Sequence, residues 1–203
     1  MAVLIAGRDT TAATLSWTIY ELARCPAVWA RLRRDVLDAV GPRAAPTYEA
    51  LKALPFLTHT LNETLRLWPA VPYNLRAALC DTSLPGGGGG RPDIAVLRGD
   101  VVVYSTLAMQ RRRDLYPGFA GGDGEGMGEK GTGEFPDPAV FCPERWDGWT
   151  PKSWTYVPFN GGPRICVGQN FAMTEMAFTR GSFFYFLSFL SSPTPISELL
   201  WLT

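Results

Sequence analysis

A single histidine, His59, and four widely spaced cysteines with no C-x-x-C pair leave the chain short of the donor set that a structural zinc site needs. An excess of charge of either sign is also lacking. The 203 residues carry 19 Lys and Arg against 19 Asp and Glu, so no net field draws the chain to a polyanion and no nucleic-acid partner is expected. No apolar run reaches the ~20 residues that cross a bilayer. Residues 1–6 are apolar but give way to Gly7, Arg8 and Asp9, and 183–190 stop at Ser191-Ser-Pro193, so no transmembrane helix is expected. No secretory leader is read either, and the thiols are expected to be reduced, with Cys25, Cys80 and Cys142 behaving as small hydrophobes.

What the chain does have is apolar content, 46% of residues with seven Trp, enough for a packed interior. Leu4, Ile5, Leu15, Ile19 and Leu22 recur at helical spacing over 2–24, and Pro26 ends that run. A second amphipathic helix is predicted over 27–40 through Val28, Leu32, Val36, Leu37 and Val40, closing at Gly41-Pro42. A third spans 55–67, with Pro55 in its first turn and Pro69 past its end. Short strands are predicted over 72–78 and 94–104, separated by a glycine run. Residues 118–134 hold eight glycines among charges and no apolar period, which predicts an exposed loop without regular structure. A last helix is expected just after Cys166, through Phe171, Met173, Met176 and Phe178. The fold class is mainly α with small β-sheets.

Three segments could carry chemistry. Phe159-Asn-Gly-Gly162-Pro-Arg164-Ile-Cys166-Val-Gly168 delivers one cysteine from a glycine-rich turn to the start of a helix. Glycine permits close approach to a flat ligand, helix amide groups favour thiolate over thiol, and Arg164 is a fixed cation suited to a carboxylate. Glu63-Thr-Leu-Arg66 places opposite charges on one helix face, which by itself reads as an i,i+3 ion pair on a solvated surface. Ala6-Gly-Arg-Asp9-Thr10-Thr11 sets an acid beside a threonine after two small residues, and by itself fits a capped helix start.

Together these segments, with Pro143-Glu-Arg145-Trp146 between the second and the cysteine loop, resemble the cytochrome P-450 family in content and order. The cysteine segment matches F-x-x-G-x-R-x-C-x-G at every specified position. The resemblance implies a partial haem domain over 1–203, the C-terminal half of that fold, with haem b as cofactor and Cys166 as its axial iron ligand. Phe159 would pack beside the sulfur, Gly162 and Gly168 would line the cofactor, and Arg164 would meet a propionate. Arg76 would reach a propionate too, an ordinary strand-edge arginine being the alternative. Glu63, Arg66 and Arg145 would form a buried structural network behind the haem loop, and Asp9 and Thr10 a relay for the protons that oxygen splitting consumes.

The implied activity is insertion of one atom of molecular oxygen into a small apolar substrate, with electrons from NADPH through a reductase partner. The stretch from Ala6 to Trp17 and the triplet Arg112-Arg113-Asp114 look most like the fungal microsomal branch that includes alkane and fatty-acid hydroxylases. Full-length members of that branch are expected at the endoplasmic reticulum membrane. The resemblance starts inside the oxygen-binding helix, so the anchor and much of the substrate pocket would lie outside this sequence, while 118–134 and 181–203 depart from the family pattern. A fragment that keeps the haem loop without turnover is therefore the rival expectation.

Overall fold

The computed structural model describes residues 2–41, 47–86, 90–116 and 135–190. The expectations for 118–134 and for the tail beyond 190 lie outside the described residues. Helix α1, Ala2–Arg24, is followed by α2, Pro26–Val40, α3, Tyr48–Lys52, and α4, Pro55–Leu67. Proline opens both α2 and α4, where its missing N–H costs nothing and its fixed φ suits the first turn. Gly41, at φ 83°, ends α2 by donating its N–H to the Leu37 carbonyl. Thr47 caps α3 by accepting a hydrogen bond from the Ala50 N–H at 3.2 Å.

Next come four strands, β1, Tyr73–Ala77, β2, Thr82–Leu84, β3, Ile94–Val96, and β4, Val101–Ser105, then α5, Thr106–Met109. They form two separate two-stranded antiparallel sheets, β1 with β4 and β2 with β3. The segment predicted as one strand over 94–104 is thus two, parted by a turn at Gly99, whose φ of 94° suits glycine. Short 3-10 turns at Pro143–Trp146 and Gly162–Arg164 precede α6, Gln169–Leu190.

Helix α4 lies at the centre, with Phe56, Leu57, Leu61 and Leu65 all buried. On one side Leu57 joins Leu22 of α1, Leu32 and Val36 of α2, and Leu51 of α3. On the other, Leu61 and Leu65 pack with Met176 of α6, and Leu15 of α1 and Phe159 pack against that cluster. α1 is bound to α4 by polar contacts as well. The buried Thr18 hydroxyl lies 3.1 Å from that of Thr64, Trp68 Nε1 donates to Glu21 at 2.8 Å, and Trp17 stacks on Trp68 at 3.9 Å. Among the described residues no helix is long and apolar enough to cross a membrane.

Leu61 joins three helices, so Leu61→Ala is expected to cost about 2–5 kcal/mol in denaturant unfolding, whereas the same change at exposed Leu79 should stay within about 0.5 kcal/mol. Equal midpoint shifts for the two would contradict this packing.

Candidate functional site

Glu63, on the inner face of α4, has no solvent exposure, and neither have Arg66 and Arg145. The guanidinium of Arg66 grips the carboxylate with two hydrogen bonds of 2.8 Å, the geometry in which arginine and carboxylate pair best. Arg145, from the 3-10 turn, donates to Glu63 Oε1 at 3.5 Å. Two further donors come from residues that bracket it: Trp146 Nε1 at 2.9 Å and the Cys142 N–H at 3.0 Å. Burial holds the Arg145 guanidinium below its ordinary pKa while Glu63 acts in the opposite direction. The same burial pushes the Tyr116 phenol, over which Arg66 lies at 5.1 Å, well above its usual range.

The C-terminal end of α4 is buried, so its last carbonyls need donors that water cannot supply. The Trp68 N–H takes Thr64 O at 2.7 Å, Gln110 Nε2 donates to Leu65 O and Arg66 O at 3.1 Å each, and Arg111 donates to Leu67 O. Gln110, itself fully buried, also accepts the Val157 N–H at 2.9 Å and offers its own carbonyl to Arg66. One amide thus ties the Glu63 helix to the segment entering the cysteine loop. Gln110 was not singled out in the sequence. The available signal is a helix stopped by Pro69 whose buried end must find donors elsewhere. Tyr156 adds a second tie, its hydroxyl lying 3.3 Å from the backbone oxygen of Asn62.

The loop itself closes on a backbone bond, Cys166 N–H to Phe159 O, at 2.8 Å. The Phe159 side chain turns inward to the Leu61, Leu65 and Met176 cluster, while Cys166 is exposed. Two glycines shape the turn: Gly162 has φ 64°, and a Cβ on Gly161 would sit 2.5 Å from the Trp154 ring. At Gly168 an added Cβ would meet nothing within 4 Å, so the protein's own packing does not demand that glycine. α6 begins at Gln169, three residues beyond the sulfur. Arg164 is exposed, with no hydrogen bond or ion pair among the described residues, and Arg76 is exposed, donating to the Leu75 carbonyl and lying 5.6 Å from the Tyr104 ring centroid.

On α1 the Thr10 hydroxyl donates to the Ala6 carbonyl at 2.6 Å and Asp9 pairs with Arg8 at 2.7 Å, so the carboxylate and the hydroxyl are not bonded to each other. Of the cysteines expected to be small hydrophobes, Cys25 and Cys142 are partly buried and burial raises their thiol pKa, but Cys80 is exposed, in the bend between β1 and β2. His59 is half-buried on α4, and burial lowers its pKa.

A buried carboxylate gripped by two arginines behind an exposed cysteine loop agrees with a family comparison: the cytochrome P-450 model matches residues 1–118 and 130–192. The chain belongs to the cytochrome P-450 family. Cytochrome P-450 monooxygenase pvhE of Talaromyces variabilis is 53% identical over 180 residues, covering 88% of this chain and 31% of its own length. Cytochrome P-450 monooxygenase himC of Aspergillus japonicus is 42% identical over 206 residues, 99% of this chain and 33% of that protein. Cytochrome P-450 52A1 of Candida tropicalis is 43% identical over 187 residues, 87% and 31%. The chain spans about a third of the length of these P-450 relatives. The family match runs past Arg180, as does α6, which is continuous to Leu190.

Removing one partner of a buried ion pair leaves the others charged and uncompensated, so Glu63→Gln is expected to destabilise the chain by about 3–5 kcal/mol. Gln110→Leu, which strands two carbonyls and one N–H, should cost about 3 kcal/mol. Guanidinium unfolding checks both, and a loss below about 1 kcal/mol at either position would contradict the bonding described.

Proposed function

We propose that this chain is the C-terminal, haem-binding part of a P-450 monooxygenase, with Cys166 as the thiolate ligand of the iron. The observation that carries the reading is the presentation of Cys166: an exposed sulfur on a closed loop, backed by a fully buried polar network that Gln110 couples to the loop. The donor set fits haem. Ile165 and Val167, on either side of Cys166, are exposed, Val167 with 103% relative exposure, as is Phe171 on the first turn of α6, and Arg164 and Arg76 offer guanidiniums to solvent. A flat apolar ring with two carboxylates would cover the first group and pair with the second. The cytochrome P-450 family, to which the chain belongs, implies that an iron on Cys166 would be carried by haem.

When bound, thiolate-ligated haem supplies activation of dioxygen for insertion of one oxygen atom into a C–H bond, on electrons from an NADPH-dependent reductase. The chain's residues would do the rest. Cys166 holds the iron; Arg164 and Arg76 orient the propionates; Gly162 and Gly168 let the ring approach the backbone; Phe159 anchors the loop to the helices. Glu63, Arg66 and Arg145 keep that loop in place from behind, and Asp9 with Thr10 conducts protons from α1. The substrate is read as small and apolar, such as a fatty acid or alkane, and the full-length protein as resident at the endoplasmic reticulum membrane. Both follow from the likeness to the fungal branch. The break in the family match over residues 119–129 supports reading the glycine-rich 118–134 as an insertion in a haem domain that otherwise spans the chain, whereas the match runs on to residue 192 and leaves only 193–203 of the tail expected over 181–203 outside the family pattern.

One observation favours a second reading, haem binding without turnover: Asp9 is held by Arg8 and the Thr10 hydroxyl is spent on its own helix. The carbon monoxide difference spectrum of the reduced, haem-reconstituted chain separates these. A red-shifted Soret band lost in Cys166→Ala is expected, and oxidation of a fatty acid with added reductase then distinguishes enzyme from binder. Haem uptake unchanged in Cys166→Ala would reject the thiolate assignment.

A further inference from the structure

We infer that Asn160 is a positioning residue, setting the place of the Cys166 sulfur by pinning the cysteine loop to the β1–β4 sheet. The inference rests on the thiolate role proposed for Cys166. Asn160 has φ 60°, a left-handed conformation that asparagine tolerates far better than most residues. That conformation turns its side chain onto the sheet. There its Oδ1 accepts the Tyr104 hydroxyl at 2.9 Å, and its Nδ2 donates to Asn74 Oδ1 at 3.2 Å. Asn74 and Tyr104 are direct cross-strand partners, so one amide spans both strands at a single register position.

The link to the sulfur is short. The peptide group that joins Phe159 to Asn160 carries the carbonyl that accepts the Cys166 N–H at 2.8 Å. Fixing Asn160 fixes the plane of that peptide, and with it the acceptor on which the loop closes. Tyr104 also lies 5.6 Å under the Arg76 guanidinium, so the same ring touches the cysteine loop and one of the arginines read as propionate partners. Thiolate and propionate positions would thereby be set in one frame.

The other bond at Asn160, from its N–H to Val157 O at 3.1 Å, lies within the loop. A cavity of about 270 Å³ opens beside it, bounded by Asn62, Phe159, Asn160 and Gln169, so a loop released from the sheet has room to shift. The two side-chain bonds lie at or near the surface, which makes their effect one of local position rather than of global stability.

The test uses the 203-residue chain in two states. Asn160→Gly keeps the backbone conformation and removes both bonds, Tyr104→Phe removes one from the opposite side, and Asn160→Asp keeps the acceptor for Tyr104. Without haem, hydrogen exchange at the Cys166 amide is expected to rise about tenfold in Asn160→Gly, with α4 amides unchanged. Tyr104→Phe should raise it by a smaller factor, and Asn160→Asp should restore much of the protection. With haem, Asn160→Gly should shift part of the carbon monoxide band from the thiolate position to the blue at equal haem uptake, and Asn160→Asp should reverse most of that shift. Exchange at Cys166 equal to wild type in Asn160→Gly would overturn the inference, as would an equal rise across α4, which marks a merely structural residue. A wild-type chain that takes up no haem while the exchange difference persists would sink the haem reading alone.

Discussion

The structure depends on satisfying one carboxylate. Glu63 is wholly buried, and an ionised carboxyl in that setting costs several kcal/mol unless donors surround it. Arg66 supplies two hydrogen bonds from the same helix, and Arg145, Trp146 and the Cys142 N–H supply the others from a segment some eighty residues later in the chain. Each donor fixes its own segment in turn. Arg145 and Trp146 hold the 3-10 turn, Arg66 orders the Gln110 carbonyl, and the Gln110 side chain carries that order to Val157 at the mouth of the cysteine loop. The ion cluster is thus weak evidence of net stability, and its part is to hold these segments in register, since a shift of any one would leave a buried donor or acceptor without its partner.

Regular elements with hard stops were legible in the sequence. α4 has the bounds that Pro55 and Pro69 impose, and α1 ends where Pro26 forces it to. The short elements were not. β2 has three residues, all exposed, and α3 and α5 are five and four residues long, too short for an apolar period to register. They exist because caps and partner strands hold them, such as the Thr47 and Ser105 hydroxyls that cap α3 and α5.

The candidate site divided in the same way. Spacing alone made Glu63 and Arg66 a surface pair, and only the family pattern pointed inward, because burial depends on what packs over a helix face from far along the chain. Gln110 and Asn160 carried no motif at all. Their roles come from hydrogen bonds across 44 to 86 positions, which no local reading of residue types contains. Asp9 and Thr10, adjacent in sequence, are the converse case: the Asp9 carboxylate pairs with Arg8 and the Thr10 hydroxyl donates to the Ala6 carbonyl, so adjacency did not make the two a bonded pair.

What distinguishes the front of the cysteine loop from its back is the reversal of ordinary burial. Behind the loop charged groups are fully buried, while in front Ile165, Val167 and Phe171 face outward. An exposed arginine such as Arg164 is unremarkable, since water solvates it at no cost. Exposed valine and isoleucine on a tight turn are different, because the turn could carry polar residues at no steric loss. Ile165 and Val167 on either side of Cys166, with Phe171 on the first turn of α6, leave apolar surface exposed beside a loop closed by the Cys166 N–H to Phe159 O bond, and its hydrophobic cost is removed when something apolar lies on it. Under the proposed reading that partner would be the haem the family implies, with Cys166 toward its iron and the exposed Arg164 and Arg76 toward its carboxylates.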